Sequence, residues 1–160
     1  TQNFACLCGA RAAVDYIANI GHSVADDGAL SRRSALQIAY NAIEDYENTL
    51  CQQLLAGLET IAASSGITIH GISVNGDLEN RVPTVSISHP TWTSAQLAQA
   101  LGDYEIYAWH GNYYALQLTR ALQLEPEGML RLGLVHYNTV QEIDRLLLTL
   151  STILKDEPPA

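Results

Sequence analysis

Met129-Leu130-Arg131-Leu132-Gly133-Leu134-Val135, followed by His136-Tyr137-Asn138 and then Thr139-Val140-Gln141-Glu142, is the stretch on which the fold turns. The first seven residues form a short apolar run of strand length. Thr139 and Glu142 stand three apart in the pattern of a capping box, which opens a helix by satisfying free N–H groups at its first turn. That helix carries Ile143, Leu146, Leu147, Leu150 and Ile153 at helical spacing. A strand running directly into an amphipathic helix means that sheet and helix share one core.

The same grammar continues upstream. Residues 112–124 read as a helix with Leu116, Leu118, Ala121 and Leu122 inside, and 104–108 as a strand. Thr93-Ser94-Ala95-Gln96 is a second capping box, for a helix ending at Gly102. Residues 82–88 form a strand whose Pro83 suits a strand end or an edge. Asn75-Gly76 marks a turn, and 67–72 alternates as another strand. Before it, Leu36, Ala39, Ile43, Tyr46, Leu50, Leu54, Leu58 and Ile61 recur in steps of three and four, predicting a long helix over 35–63. The polar connection 22–34 separates it from a first helix over 5–20. Ala13, Val14, Ile17 and Ala18 share one face there, and Gly21 is the expected stop. The pattern predicts an α+β fold of two layers, helices packed on a small, largely antiparallel four-stranded sheet.

Composition narrows the function. Hydrophobic residues make up 48% of the 160, enough for a core and too many for disorder. Asp and Glu number 17 against 8 Lys and Arg, a net charge of -9. That sign argues against nucleic-acid and membrane-surface partners. Only 16% of residues are charged, against roughly 25% in an average soluble domain. A buried interface accounts for this, and so does a surface rich in Gln, Asn, Ser and Thr. The single lysine, Lys155, stands near the end of the sequence, so a buried, activated lysine is not expected within this chain. Cys6, Cys8 and Cys51 are odd in number and follow no signal peptide, so they read as reduced cytosolic thiols. No four-ligand metal set stands at ligand spacing, and no metal is expected. The sequence opens at Thr1 without an initiator methionine, which reads as a processed or cut product.

Two places carry candidate chemistry. Trp109-His110-Gly111-Asn112-Tyr113-Tyr114 gathers a histidine, an amide and two phenols between a predicted strand and a predicted helix. It suits a ligand loop, or an aromatic plug for the core edge. Arg131 interrupts an apolar strand. A guanidinium there faces a cleft, pairs with Asp or Glu, or lies on the strand's polar face. Arginine is the side chain best shaped to grip a carboxylate with two parallel hydrogen bonds.

Arg131-Leu132-Gly133-Leu134-Val135-His136-Tyr137-Asn138-Thr139, with Glu142, Ile143 and Asp144-Arg145-Leu146 after it, resembles the C-terminal signature of class V aminotransferase-like enzymes. Within them it is most similar to the cysteine desulfurase-like branch related to SufS and selenocysteine lyase. Thr1-Gln2-Asn3, the long helix 35–63 and Arg81-Val82-Pro83-Thr84-Val85-Ser86 match further segments in the same order.

The resemblance implies the C-terminal small domain of a fold-type-I pyridoxal-phosphate (PLP) enzyme. Residues 1–34 would lead from a large domain upstream, which carries the cofactor and its lysine, and 35–160 would form the small domain. It implies that Arg131 binds the α-carboxylate of an amino-acid substrate, with His110 and Tyr114 on the pocket wall. It also implies that Thr1 reaches the cofactor phosphate of the neighbouring subunit in a cytoplasmic homodimer. No catalytic residue falls in this chain, and without the large domain neither bound PLP nor activity is expected. One departure is plain. The loop that holds the nucleophilic cysteine of desulfurases is here 110–115, with Tyr114 at the cysteine position, and no cysteine follows Cys51. A persulfide has no acceptor there, so a lyase, transaminase or epimerase is as compatible as a desulfurase. The alternative of another class is a stand-alone α+β interaction module without catalysis, in which Arg131 is structural.

Overall fold

The computed structural model describes residues 2–159, except for the side chain of Glu79. The chain divides into two compact units, one ending at Glu47 and the other beginning at Asn48.

The first unit holds α1, Phe4–Ala25, and the opening of α2, Arg32–Ser65. Asn3 caps α1, its side chain accepting the Cys6 N–H at 3.1 Å. The helix does not stop at Gly21. It runs on to Ala25 and ends at Asp26, whose φ of 51° turns the chain into the left-handed region. Gly21 is buried and serves a different purpose, because a Cβ there would lie 1.8 Å from the carbonyl oxygen of Ala35. Of the face expected to be inside, Ala18 is buried, while Val14 is exposed together with Phe4, Leu7 and Val24. Arg11 and Arg32 both pair with Asp15, at 3.4 and 3.0 Å, as surface pairs of small energetic weight.

The second unit is the two-layer α+β arrangement that the pattern predicts. Its four strands are β1 (Thr68–His70), β2 (Thr84–Ser88), β3 (Trp109–Gly111) and β4 (Met129–Gly133). They lie in the order β1-β2-β4-β3, every neighbouring pair antiparallel. Helices α3 (Ser94–Gly102) and α5 (Val140–Ile153) and the second half of α2 contribute to the core against this sheet. A short α4 spans Leu116–Ala121.

Register explains the two layers. Ile69, Ile87 and Leu130 stand opposite one another across β1, β2 and β4, as do Val85 and Leu132 across β2 and β4. Opposed residues share a face of the sheet. These meet Leu54, Leu58, Leu97, Leu101, Ile143 and Leu150 in one core. Burying each leucine this fully is worth about 1.5–3 kcal/mol relative to exposure. Helix α2 approaches α5 so closely that a Cβ on Gly57 would fall 2.2 Å from Leu147 Cδ1, and Gln53 donates to Asp144 at 2.6 Å. Both capping boxes form as read, Thr93 with Gln96 and Thr139 with Glu142.

In this second unit two elements differ from the sequence reading. Residues 104–108 are not a strand. The turn after α3 continues through them, with Tyr104 N–H and Ile106 N–H both donating to Leu101 O at 3.0 Å, and Glu105 at φ 57°. The strand comes later, at Trp109–Gly111, where pairing with β4 is available. The helix expected over 112–124 shrinks to Leu116–Ala121. Tyr113 and Tyr114 hold positive φ values of 52° and 63°, and Gln123 at 59° closes its far end.

Candidate functional site

Alternate residues of these strands belong to the opposite face of the sheet. Across it runs the row His70–Ser86–Arg131–Trp109, each standing opposite the next. His70 Nε2 hydrogen-bonds Ser88 Oγ at 2.8 Å, and burial lowers the pKa of its imidazole. Arg131 projects from β4 between buried Leu130 and Leu132, and its own side is exposed.

Around Arg131 lies a recess of about 540 Å³, walled by Tyr107, Trp109, Tyr113, Tyr114 and Gly133. Four aromatic rings and one charge make up most of its lining. Tyr107 is 88% exposed and Trp109 69%, so the rings stand as an open wall around the guanidinium. No Asp or Glu among the described residues pairs with Arg131. Its contact is the ring of Tyr113, 5.7 Å from Cζ to centroid. Of the three readings open for Arg131, the paired structural one falls away.

Tyr113 is fixed at its other end. Its phenol donates to the Met129 carbonyl, with the Trp109 carbonyl at 3.3 Å. Burial raises its pKa well above the ordinary phenol value, and the nearby Arg131 charge only partly offsets that. Tyr114, the next residue, projects fully into solvent.

The fold brings Arg131 and Tyr114 to one recess but takes His110 elsewhere. His110 stands opposite Leu130, so it lies on the helix side of the sheet. It lines a separate recess of about 340 Å³ with Gln99, Asp103 and Tyr107. Thr1 lies outside the described residues. Sequence reasoning marked 109–114 as a segment but missed the separate roles of Trp109 and Tyr113. Trp109 follows from strand pairing with Arg131. Tyr113 depends on a backbone turn that composition does not announce.

Cys51 is 1% exposed within the core, and burial raises its pKa, opposed by Arg81. It is packed as a small apolar side chain. The exposed Cys6 and Cys8 belong to α1 in the other unit. None of the three lines the recess at Arg131. Among the described residues no helix is long and apolar enough to cross a membrane.

Comparison with known proteins agrees with the signature at 131–139. The aminotransferase-like protein FGM3 of Gibberella zeae is 27% identical over 92% of this chain and 42% of its own length. An uncharacterized protein of Mycobacterium tuberculosis, MT3887, is 25% identical over 95% of this chain and 35% of its own. The chain thus spans less than half the length of these relatives. A cysteine desulfurase from Thermococcus onnurineus NA1 shares the fold with a TM-score of 0.64 at 22% identity, over 78% of this chain and 29% of that one. The Escherichia coli cysteine desulfurase CsdA does so with a TM-score of 0.58 at 17% identity, over 81% of this chain and 32% of the other. The model of the aminotransferase class-V family matches residues 29–146, nearly three quarters of the sequence and all of β4 with its arginine. The chain belongs to the aminotransferase class-V family.

Proposed function

We propose that the chain is the C-terminal small domain of a longer PLP-dependent enzyme acting on an amino acid, in which Arg131 holds the substrate's α-carboxylate. The observation that carries this is Arg131 itself: exposed on its strand, without a carboxylate partner among the described residues, and beside aromatic side chains. An unpaired guanidinium presents a planar fork matched to two carboxylate oxygens.

The described residues do not by themselves fit the cofactor used across the family. Lys155 is exposed after the last helix, and no lysine lines the recess. In this reading the lysine and the cofactor's cradle belong to the rest of a longer protein, and the chain alone is inactive. PLP supplies an electron sink for bond changes at the amino acid's α-carbon. The present residues bind and orient the substrate, with Tyr114 and the rest of the 109–114 segment on the pocket wall. Tyr114 offers a phenol where a desulfurase offers a thiolate, so a transaminase, lyase or epimerase is as compatible with this site as sulfur transfer. The enzyme works as a cytoplasmic homodimer, Thr1 reaching toward the partner's cofactor phosphate.

The test uses the complete gene product. After incubation with PLP and borohydride reduction, mass spectrometry should find the phosphopyridoxyl group on a lysine outside residues 1–160. Arg131→Ala should raise KM for responsive amino acids roughly 10²- to 10⁴-fold, the loss of two charge-assisted hydrogen bonds. Specific cofactor attachment at Lys155, or an unchanged KM, would sink the proposal.

A further inference from the structure

Resting on the reading of Arg131 as a carboxylate anchor, we infer that Tyr113 is its positioning residue, holding the guanidinium by its face so that its edge stays free for the substrate.

Three separate observations carry this. The first is the contact itself, with the Arg131 Cζ 5.7 Å from the Tyr113 ring centroid. A cation over an aromatic ring is drawn to the ring's negative face. The carboxylate-binding N–H groups lie in the guanidinium plane, so ring and carboxylate use different parts of one group. The second is the tether. The phenol donates to the Met129 carbonyl, and the Trp109 carbonyl lies 3.3 Å away, so the ring is tied at the junction of β3 and β4. The third is the backbone. Tyr113 and Tyr114 both take positive φ, 52° and 63°, which tyrosine rarely does. Asn112 secures this turn: its side-chain oxygen accepts Tyr114 N–H at 3.2 Å and its carbonyl accepts Ala115 N–H at 2.7 Å. The result is a division between adjacent tyrosines, Tyr113 half-buried beside the arginine and Tyr114 in solvent. Backbone outliers persist where the surroundings over-determine them, often next to ligand clamps.

The physical gain is preorganisation. A long arginine side chain left free loses its rotamer freedom when it binds, which weakens binding. A ring that already restricts it removes part of that cost. The phenol is neutral at ordinary pH and burial raises its pKa further, so the ring does not compete as an anion for Arg131.

The experiment is NMR on the complete, PLP-loaded gene product with isotope-labelled arginine, with Tyr113→Phe and Tyr113→Leu beside the wild type. Relaxation of Arg131 Nε–H should show restriction in the wild type and in Tyr113→Phe, which keeps the ring. In Tyr113→Leu it should be as mobile as the exposed Arg120. Cross-peaks between Arg131 side-chain protons and the Tyr113 ring should be present in the wild type, a readout that needs no variant. L-alanine should shift the Arg131 Nε–H resonance, and L-alaninamide, which lacks the carboxylate, should not. Tyr113→Leu should weaken L-alanine about 5- to 30-fold, and Tyr113→Phe by less than about threefold. Arg131 as mobile as Arg120 in the wild type, missing cross-peaks, or full L-alanine affinity in Tyr113→Leu would each overturn the positioning role. A restricted Arg131 that ignores L-alanine would instead overturn the carboxylate reading and leave the stacking intact.

Discussion

Replacing Gly128 by alanine sets two costs against one gain, and two other glycines of the same sheet separate them. Gly128 precedes β4 at φ 66°, and a Cβ there would lie 2.2 Å from the carbonyl carbon and oxygen of Gly111 in β3. Both contacts are backbone, so no side chain can swing aside, and the strands must part by roughly 1 Å to restore van der Waals distance. The left-handed conformation costs alanine about 1–2 kcal/mol, and forced overpacking adds about 1–3 kcal/mol. The stiffer unfolded chain returns about 0.4–1 kcal/mol. The expected net loss is about 2–4 kcal/mol, a fall in melting temperature of roughly 5–15 °C for a chain of this length. Gly111→Ala meets nothing within 4 Å but sits at φ 109°, so it isolates the conformational cost, about 1–2 kcal/mol net. Gly133→Ala has open space and no positive φ, and should leave stability unchanged or raise it by up to about 1 kcal/mol. Thermal unfolding of the three proteins followed by circular dichroism gives the order directly. Gly128→Ala melting with Gly133→Ala would refute the close approach of β3 and β4 behind Arg131. Gly128→Ala melting with Gly111→Ala would refute the steric part alone.

Glu142 has its carboxyl pKa lowered by the Thr139 backbone N–H, then by the Thr139 hydroxyl and Asn138. Its contribution is therefore present above the unfolded carboxyl pKa, about 4.3, and lost as pH falls through the lower folded value. Glu142→Gln should melt below the wild type at neutral pH and converge with it in acid, and a difference constant with pH would refute the linkage. His89 Nδ1 accepts the N–H groups of Thr91 and Trp92 at 3.1 and 3.0 Å, so its Nε2 carries the proton donated to Ser65 O at 2.9 Å. His89→Ala should cost about 1–3 kcal/mol in urea unfolding by leaving those groups unpaired, and an unchanged midpoint would count against it. Iodoacetamide should label Cys6 and Cys8 in the native protein and reach Cys51 only in denaturant, as intact mass will report.

What was legible was local. Each capping box needs only four consecutive residues to form its hydrogen bonds, and both formed where Thr93 and Thr139 announced them. The periodicity of α2 and the apolar runs of β2 and β4 also carry their own signal, because the core face repeats within one element. Gly21 misled for the opposite reason. A glycine after an apolar helix signals a stop, yet its partner is the Ala35 carbonyl, fourteen residues away in sequence and invisible to a local reading. The aromatic run around Tyr104–Trp109 satisfied strand propensity throughout. Which three residues became β3 was decided by pairing with β4, and propensity yields to such context.

The site divides along the same line. Arg131 stood out because a charge inside an apolar run demands an explanation wherever the chain goes. Its companions did not, because sheet neighbours are selected by parity. Trp109 and His110 are adjacent in sequence, but opposite sides of the sheet separate them, and a register shifted by one residue would exchange them. Tyr113 and Tyr114 are chemically identical, and only two positive φ angles decide which ring meets the guanidinium and which meets water. Residue type therefore singled out Arg131, whereas pairing and turn geometry chose what surrounds it. Nearness in sequence does not put alternate residues of a strand on one side of the sheet, and His110 lies on the side away from Arg131.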